Sequence, residues 1–166
     1  MFSIGDFVAH YKEGVCEIVE IGPLNISHSD KNKEYYTLRP VYNKTGKVYI
    51  PVENEKKQIR EVSTKGEAEL LLAEMSQIEV IHVPDERRRE AYYKEALYKN
   101  DCRQWASIIK TTYLRKKTRM NMGKRSINVD EKYLASAEKF LYGELAVALN
   151  MKKEEMKQYL IDKIDE

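Results

Sequence analysis

Three consecutive arginines, Arg87, Arg88 and Arg89, follow Pro84, Asp85 and Glu86 and precede Tyr92 and Tyr93. A guanidinium is a planar, permanently charged fork that matches phosphate oxygens two at a time. At the first turn of a helix such cations oppose the helix dipole, so stability alone would favour acids there. The cluster therefore points to an anionic partner, with Asp85, Glu86 and Glu90 as partial local counter-charges. Further cations follow. Arg103, Lys110 and Lys117 recur every seventh residue, Arg115, Lys116 and Arg119 extend the series, and Lys124 and Arg125 carry it on. Cations repeating along a helix can neutralise successive phosphates, which gives affinity without base specificity.

The charge is concentrated. Residues 1–84 hold 10 Lys and Arg against 13 Asp and Glu, residues 85–127 hold 13 against 5, and residues 128–166 hold 6 against 9. A central block of +8 lies between two segments of −3, a distribution expected of a chain that meets an anion with its middle. No base-reading motif accompanies the block; it has no zinc finger, leucine zipper or recognition helix.

Catalytic chemistry finds little support. Cys16 and Cys102 are far apart and lack ligand spacing, and His10, His28 and His82 do not cluster with them. A disulfide framework, a metal site and a cofactor are not expected. The sequence carries no Gly-rich phosphate loop, no nucleophile elbow and no His-Glu-x-x-His motif. His10 has no evident catalytic partner and is expected to be structural or merely exposed. The chain is expected to be a non-enzyme, a monomer, cytoplasmic, and without a signal peptide or membrane span.

Two kinds of element must position these residues. Residues 1–62 are strand-like: "GDFVAHY", "GVCEIVEI", "KEYYTLRPVY" and "GKVYIPV" are rich in Val, Ile and Tyr and are punctuated by Gly, Pro, Asn and Asp. "YNKTGKVY" predicts a hairpin. In the last strand Val48, Ile50 and Val52 alternate with Lys47, Tyr49 and Pro51, so Lys47 and Tyr49 are expected to face outward. Four or five such strands suggest a small barrel or a strongly bent sheet. From residue 63 the period becomes helical. A first helix is predicted with Ser63 or Thr64 as N-cap and Glu67 near N3. A second runs from about Glu86 to Lys99. Asp101 caps a third that reaches about Arg119, and Trp105 falls on its apolar stripe with Cys102, Ile108 and Ile109, which places it in a core. Met120 and Met122 are expected to pack rather than to wedge between bases. Asn128 with Glu131 starts a fourth helix ending near Leu149, and Asn150 is expected to cap a fifth, with Met156, Tyr159, Leu160 and Ile164 on one side. The fold class is thus α+β, with a β domain over 1–62 and a helical domain over 63–166.

The runs "FSIGDFVAHYKEGVCEIVEI", "KEYYTLRPVY" and "VYIPVEN", and later "LASAEKFLYGELAVAL", together resemble the CarD/CdnL family of bacterial transcription regulators, whose N-terminal module is related to one in transcription-repair coupling factor. The resemblance spans roughly residues 1–149. It implies a Tudor-like β-barrel that docks on the β subunit of RNA polymerase, and a helical module that faces promoter DNA at the upstream edge of the bubble and tunes open-complex stability. It assigns polymerase contact to the sheet, where Tyr49 stands in place of a family arginine. Lys47 lies beside it, and Leu24 and Ile26 would form either an edge strand or core contacts. The loop "GPLNISHSDKN" is longer than is usual in that family. DNA contact falls to Arg87, Arg88, Arg89, Arg103, Lys110, Lys117, Lys124 and Arg125. Glu86 occupies the family's minor-groove tryptophan position, whereas Arg88 and Arg89 match the two arginines that follow it. Two other functions remain open at this point: a polymerase-bound adaptor whose helices hold another protein, and a nucleic-acid-binding protein independent of polymerase.

Overall fold

A computed structural model describes residues 1–26 and 31–166 and divides them into two units, Met1–Val62 and Ser63–Glu166. His28 and the middle of its loop lie outside the described residues.

The first unit is one antiparallel sheet of β1 (Phe7–His10), β2 (Gly14–Gly22), β3 (Tyr35–Pro40), β4 (Val48–Pro51) and β5 (Ile59–Glu61), in the order β4-β3-β2-β1-β5. The described strands form a curled half-barrel: β4 and β5 end the ladder without pairing to each other, so of the two expected arrangements, a small barrel or a strongly bent sheet, the sheet is bent and its ends are not joined. Curvature comes partly from a bulge in β2. Ile18 pairs with Leu38, but the next paired residue is Glu20, opposite Thr37, so Val19 is extra. A bulge bends its strand and shifts the phase of alternation. Cys16 and Ile18 point inward two residues apart, and the next inward residue is Ile21, three on. The rest of this core is Val8, Tyr36, Leu38, Ile50 and Ile59. Tyr36 is fully buried, yet its hydroxyl is satisfied: it donates to Glu55 Oε2 at 2.6 Å, on the short helix α1 (Glu55–Gln58), and accepts from the Phe2 N–H at 3.2 Å. The predicted hairpin joins β3 to β4, with Asn43 O accepting from the Gly46 N–H at 3.0 Å.

The second unit holds α2 (Lys65–Ala73), α3 (Arg89–Leu97), α4 (Cys102–Asn121), α5 (Asn128–Leu149) and α6 (Lys153–Ile164). Their ends follow capping chemistry. Thr64 Oγ1 accepts from the Glu67 N–H at 3.1 Å, and Asp101 Oδ1 accepts from the Arg103 N–H at 2.8 Å. A 3-10 turn over Glu86–Arg88 precedes α3, so the predicted second helix begins and ends more tightly than its pattern suggests. Gly123, at φ +71°, ends α4: its N–H reaches Met120 O at 3.0 Å and the Lys124 N–H reaches Arg119 O at 2.8 Å. That pair of bonds is the Schellman arrangement. Asn150 performs the same task for α5 at φ 53° and ψ 47°, with the Met151 N–H on Ala146 O at 2.9 Å. Asn150 therefore closes one helix instead of opening the next, which starts after Lys152. Asparagine tolerates the left-handed region, and that tolerance selects the closing role.

Trp105 lies at zero exposure within the helical core. Its Nε1–H donates to Leu97 O at 2.9 Å and its ring meets Phe140 at 5.4 Å between centroids. Burial of so large a ring, with its one donor satisfied, is a major stabilising contribution. Met156, Leu160 and Ile164 of α6 join the same core, while Tyr159 stays exposed. Glu144, almost fully buried on α5, accepts from the Ser63 N–H at 2.9 Å and the Ser63 hydroxyl at 2.7 Å and so anchors the start of the unit.

Candidate functional site

In the sheet unit, Tyr49 is 42% exposed on β4, the terminal strand beyond β3, and Lys47 precedes it, also exposed. Alternation along β4 explains this: Ile50 is fully buried and Tyr49 faces the other way. Tyr49 sits directly opposite Thr37, which is buried. A terminal strand has backbone groups without a neighbouring strand, and the sequence places Pro51, which lacks an N–H, at its end. Of the two arrangements expected for Leu24 and Ile26, an edge strand or core contacts, the edge strand is not formed among the described residues. β2 ends at Gly22, and residues 23–26 carry no strand; Leu24 is half-buried and Ile26 is exposed. His10 is structural. It is buried at the β1–β2 reversal, where its Nδ1 accepts from the Lys12 N–H at 3.2 Å and the Glu13 N–H at 3.1 Å, and burial lowers its pKa and favours the neutral ring.

In the helical unit the basic residues separate into three groups. The first is internal. Lys110 is only 9% exposed, and its ammonium donates to Met75 O at 3.1 Å, Ser76 O at 2.8 Å and Ile78 O at 2.7 Å. The expectation that Lys110 stands on a surface ladder is corrected on this ground: its three donors are spent on carbonyls beyond the end of α2. Arg89 is likewise buried, at 7% exposure. It belongs to a closed ring of side chains. Glu86 Oε1 accepts from Arg89 at 2.7 Å and from Arg115 at 3.1 Å, while Glu86 Oε2 accepts from Arg89 Nε at 2.8 Å. Arg89 also donates to the Tyr93 hydroxyl at 3.2 Å, and that hydroxyl donates to Asp130 Oδ1 at 2.9 Å. Asp130 Oδ2 accepts from Arg115 Nε at 2.8 Å and closes the circuit. Two carboxylates balance two guanidiniums, so the ring ties the turn before α3 to α4 and α5 at no net charge. The Arg89 hydrogen bonds hold the Glu86 carboxyl at about 2, far below the usual carboxylate range. Burial pushes the Tyr93 hydroxyl up to about 12.

The second group is exposed but already paired. Arg87 grips Asp85 through Nε at 3.3 Å and a terminal nitrogen at 3.2 Å. Arg103 pairs with Glu74, Lys116 lies 3.4 Å from Glu131, and Lys117 lies 3.6 Å from Asp165. The row at every seventh residue, Arg103-Lys110-Lys117, thus lashes α4 to its neighbours, and carboxylates from outside the block offset much of its +8.

The third group is open. Arg88, exposed, lies over the Tyr92 ring at 5.8 Å, and no ion pair involves it among the described residues. Lys124 and Arg125 are exposed beyond the Schellman turn and are similarly unpaired among the described residues. Met120 and Met122 flank this turn, each 62% exposed, so the expected packing role does not hold for either. They project because Gly123 reverses the chain directly after them.

Asp130, Tyr93, Ser107 and Thr111 are structural participants that sequence reasoning missed. Glu86 and Arg89 at i, i+3 spacing were a usable signal, but Asp130 is fifteen residues from Arg115 and no local pattern joins them. Ser107 and Thr111 share the helix face of Lys110 and hold the connecting segment, with Thr111 Oγ1 accepting from the Ile81 N–H at 2.9 Å.

Comparison with known families gives one result that bears on these surfaces. Residues 2–63 match the family model described as the CarD-like/TRCF RID domain. The matched span coincides with the sheet unit, and the family is one of interaction domains known for binding the RNA polymerase β subunit. No curated protein matches the chain.

Proposed function

We propose that this chain is a transcription regulator in which residues 1–62, a Tudor-like module, dock on the β subunit of RNA polymerase, and residues 63–166 contact promoter DNA near the upstream edge of the bubble and tune open-complex stability. The observation that carries the reading is the RID-domain match over residues 2–63, joined to a terminal strand that presents Tyr49 and Lys47 to solvent. An exposed aromatic on a strand that ends the described sheet suits a protein partner: a strand edge can offer backbone hydrogen bonds and the ring offers area at small entropic cost. Arg88, Lys124 and Arg125 form the DNA-facing set, since their charges are not committed elsewhere. Arg87, Arg103 and Lys117 would first have to leave carboxylate partners, while Arg89 and Lys110 serve the fold.

Titrating the full chain against purified β subunit tests the docking surface. Replacing Tyr49 with alanine should weaken binding about tenfold or more, the usual cost of removing an aromatic anchor, without changing the melting temperature. Unaltered affinity for this variant would remove the β4 edge from the interface.

A second reading has an observation in its favour. Glu86 is 64% exposed and held ionised, and several neighbouring cations are paired. A helical unit with so much internal neutralisation also suits an adaptor that holds another protein. Binding to forked promoter DNA across a salt series separates the two: phosphate contact requires affinity to fall steeply as salt rises, whereas an adaptor shows no DNA affinity.

A further inference from the structure

A groove lies between residues 80–83 and α4. Its volume is about 760 Å³, and Val80, Ile81, Val83, Leu114 and Ile127 give it apolar walls. That size lies within the range of small-molecule sites, roughly 300–1,000 Å³. Polar groups line it too: Glu86 and Arg119, of opposite sign, together with His82, Arg89, Thr111, Arg115 and Thr118. Glu86 is held by Arg89 and Arg115, and among the described residues its Oε2 accepts only the Arg89 Nε bond, which leaves acceptor capacity on that oxygen. Arg119 follows Arg115 by one helical turn, a rise of about 6 Å. Its Nε donates to Arg125 O at 2.7 Å, which fixes the guanidinium plane, and its terminal nitrogens carry no ion pair among the described residues.

A guanidinium held by Arg125 O, an acceptor held by Arg89 and Arg115 and apolar walls define a ligand with three matching parts. An acyl carboxylate would satisfy Arg119 but would lay hydrocarbon against the Glu86 carboxylate. A free phosphate would leave the walls unused. A mononucleotide supplies an anion, a flat ring and hydroxyl or amine donors within one molecule. We infer that the groove is a mononucleotide site, with the phosphate on Arg119, the base against Leu114 and Val80, and a ribose hydroxyl or base amine donating to Glu86. The site lies wholly within residues 63–166 and does not depend on polymerase docking.

Isothermal titration of the full chain with AMP and with GMP tests this, with adenosine and inorganic phosphate as the separated halves. Saturable binding of at least one mononucleotide is expected, with each half binding more weakly. Arg119→Ala should lower affinity about tenfold or more, as expected for loss of a charge-assisted hydrogen bond, and Arg119→Lys should recover part of it. Leu114→Tyr, at a half-open wall position, should block the groove while leaving the Trp105-reported urea midpoint unchanged. The inference is overturned if neither nucleotide binds, if Arg119→Ala and Leu114→Tyr bind as wild type does, or if inorganic phosphate binds as tightly as the nucleotide.

Discussion

Replacing Asp130 with asparagine probes the closed ring of side chains most sharply. The Asp130 side chain is 6% exposed and receives two hydrogen bonds, from the Tyr93 hydroxyl at 2.9 Å and from Arg115 Nε at 2.8 Å. Breaking a buried ion pair costs about 3–5 kcal/mol when one charge is left uncompensated. Two features reduce that figure here. Arg115 is a quarter exposed and keeps its bond to Glu86, and the asparagine carbonyl can still accept one neutral bond, worth about 1 kcal/mol. A loss of about 2–3 kcal/mol follows from these terms. The assay is urea unfolding followed by fluorescence of Trp105, the one tryptophan of the chain, which is buried in the helical unit and reports that unit alone. With a slope of about 2 kcal/mol/M, the midpoint should fall by roughly 1–1.5 M. A double-mutant cycle with Arg115→Met should return a coupling of at least about 1 kcal/mol. A midpoint shift below about 0.3 M, or strict additivity of the two substitutions, would refute the view that the ring is a structural tie.

Other expectations rest on single groups. The hydrogen bonds from Arg89 hold the Glu86 carboxyl at about 2 in the fold, below its ordinary value of 4.5, so its stabilising contribution is present above the unfolded value and is lost as pH falls through the folded one. The melting-temperature gap between wild type and Glu86→Gln should therefore be constant above pH ~5 and close by pH ~2. Lys110→Met should cost about 2–4 kcal/mol by leaving backbone carbonyls without donors, with the salt slope of DNA binding unchanged. Lys124→Glu with Arg125→Glu should do the reverse, keeping stability and reducing the slope by about 2. Burial pushes the Cys16 thiol up to about 12, and thiols react as thiolates. Alkylation of the native protein at mildly alkaline pH should therefore modify half-buried Cys102 first, as read by peptide mass spectrometry.

Local chemistry made much of this fold legible. Thr64 and Asp101 cap the helices their side chains predict, Trp105 falls on the stripe that buries it, and Tyr49 and Ile50 alternate as strand residues must. The departures share a cause: a residue type compatible with two roles took the one decided by distant partners. Asn150 suits either a helix start or a left-handed stop, and the chain direction after Leu149 selected the stop. The heptad row Arg103-Lys110-Lys117 has the spacing of a phosphate ladder, yet Glu74, the carbonyls after α2 and Asp165 lie within its reach. Arg87 and Arg89 oppose the dipole of α3, but Asp85 and Glu86 provide the anions that the dipole argument assigned to a partner, and of the three arginines only Arg88 is without an ion pair among the described residues. The bulge at Val19 was invisible because a one-residue phase slip leaves no compositional mark. Only the spacing from Ile18 to Ile21 betrays it once the register is known.

The lifetime of open promoter complexes, measured with purified RNA polymerase and with either wild-type chain or the Lys124→Glu/Arg125→Glu variant, tests most directly whether this molecule joins polymerase to DNA. Wild type should change the lifetime, and the variant should still bind polymerase yet leave the lifetime close to that of polymerase alone. An unchanged lifetime with wild type, or an equal effect from both proteins, would contradict a role for these cations at the promoter.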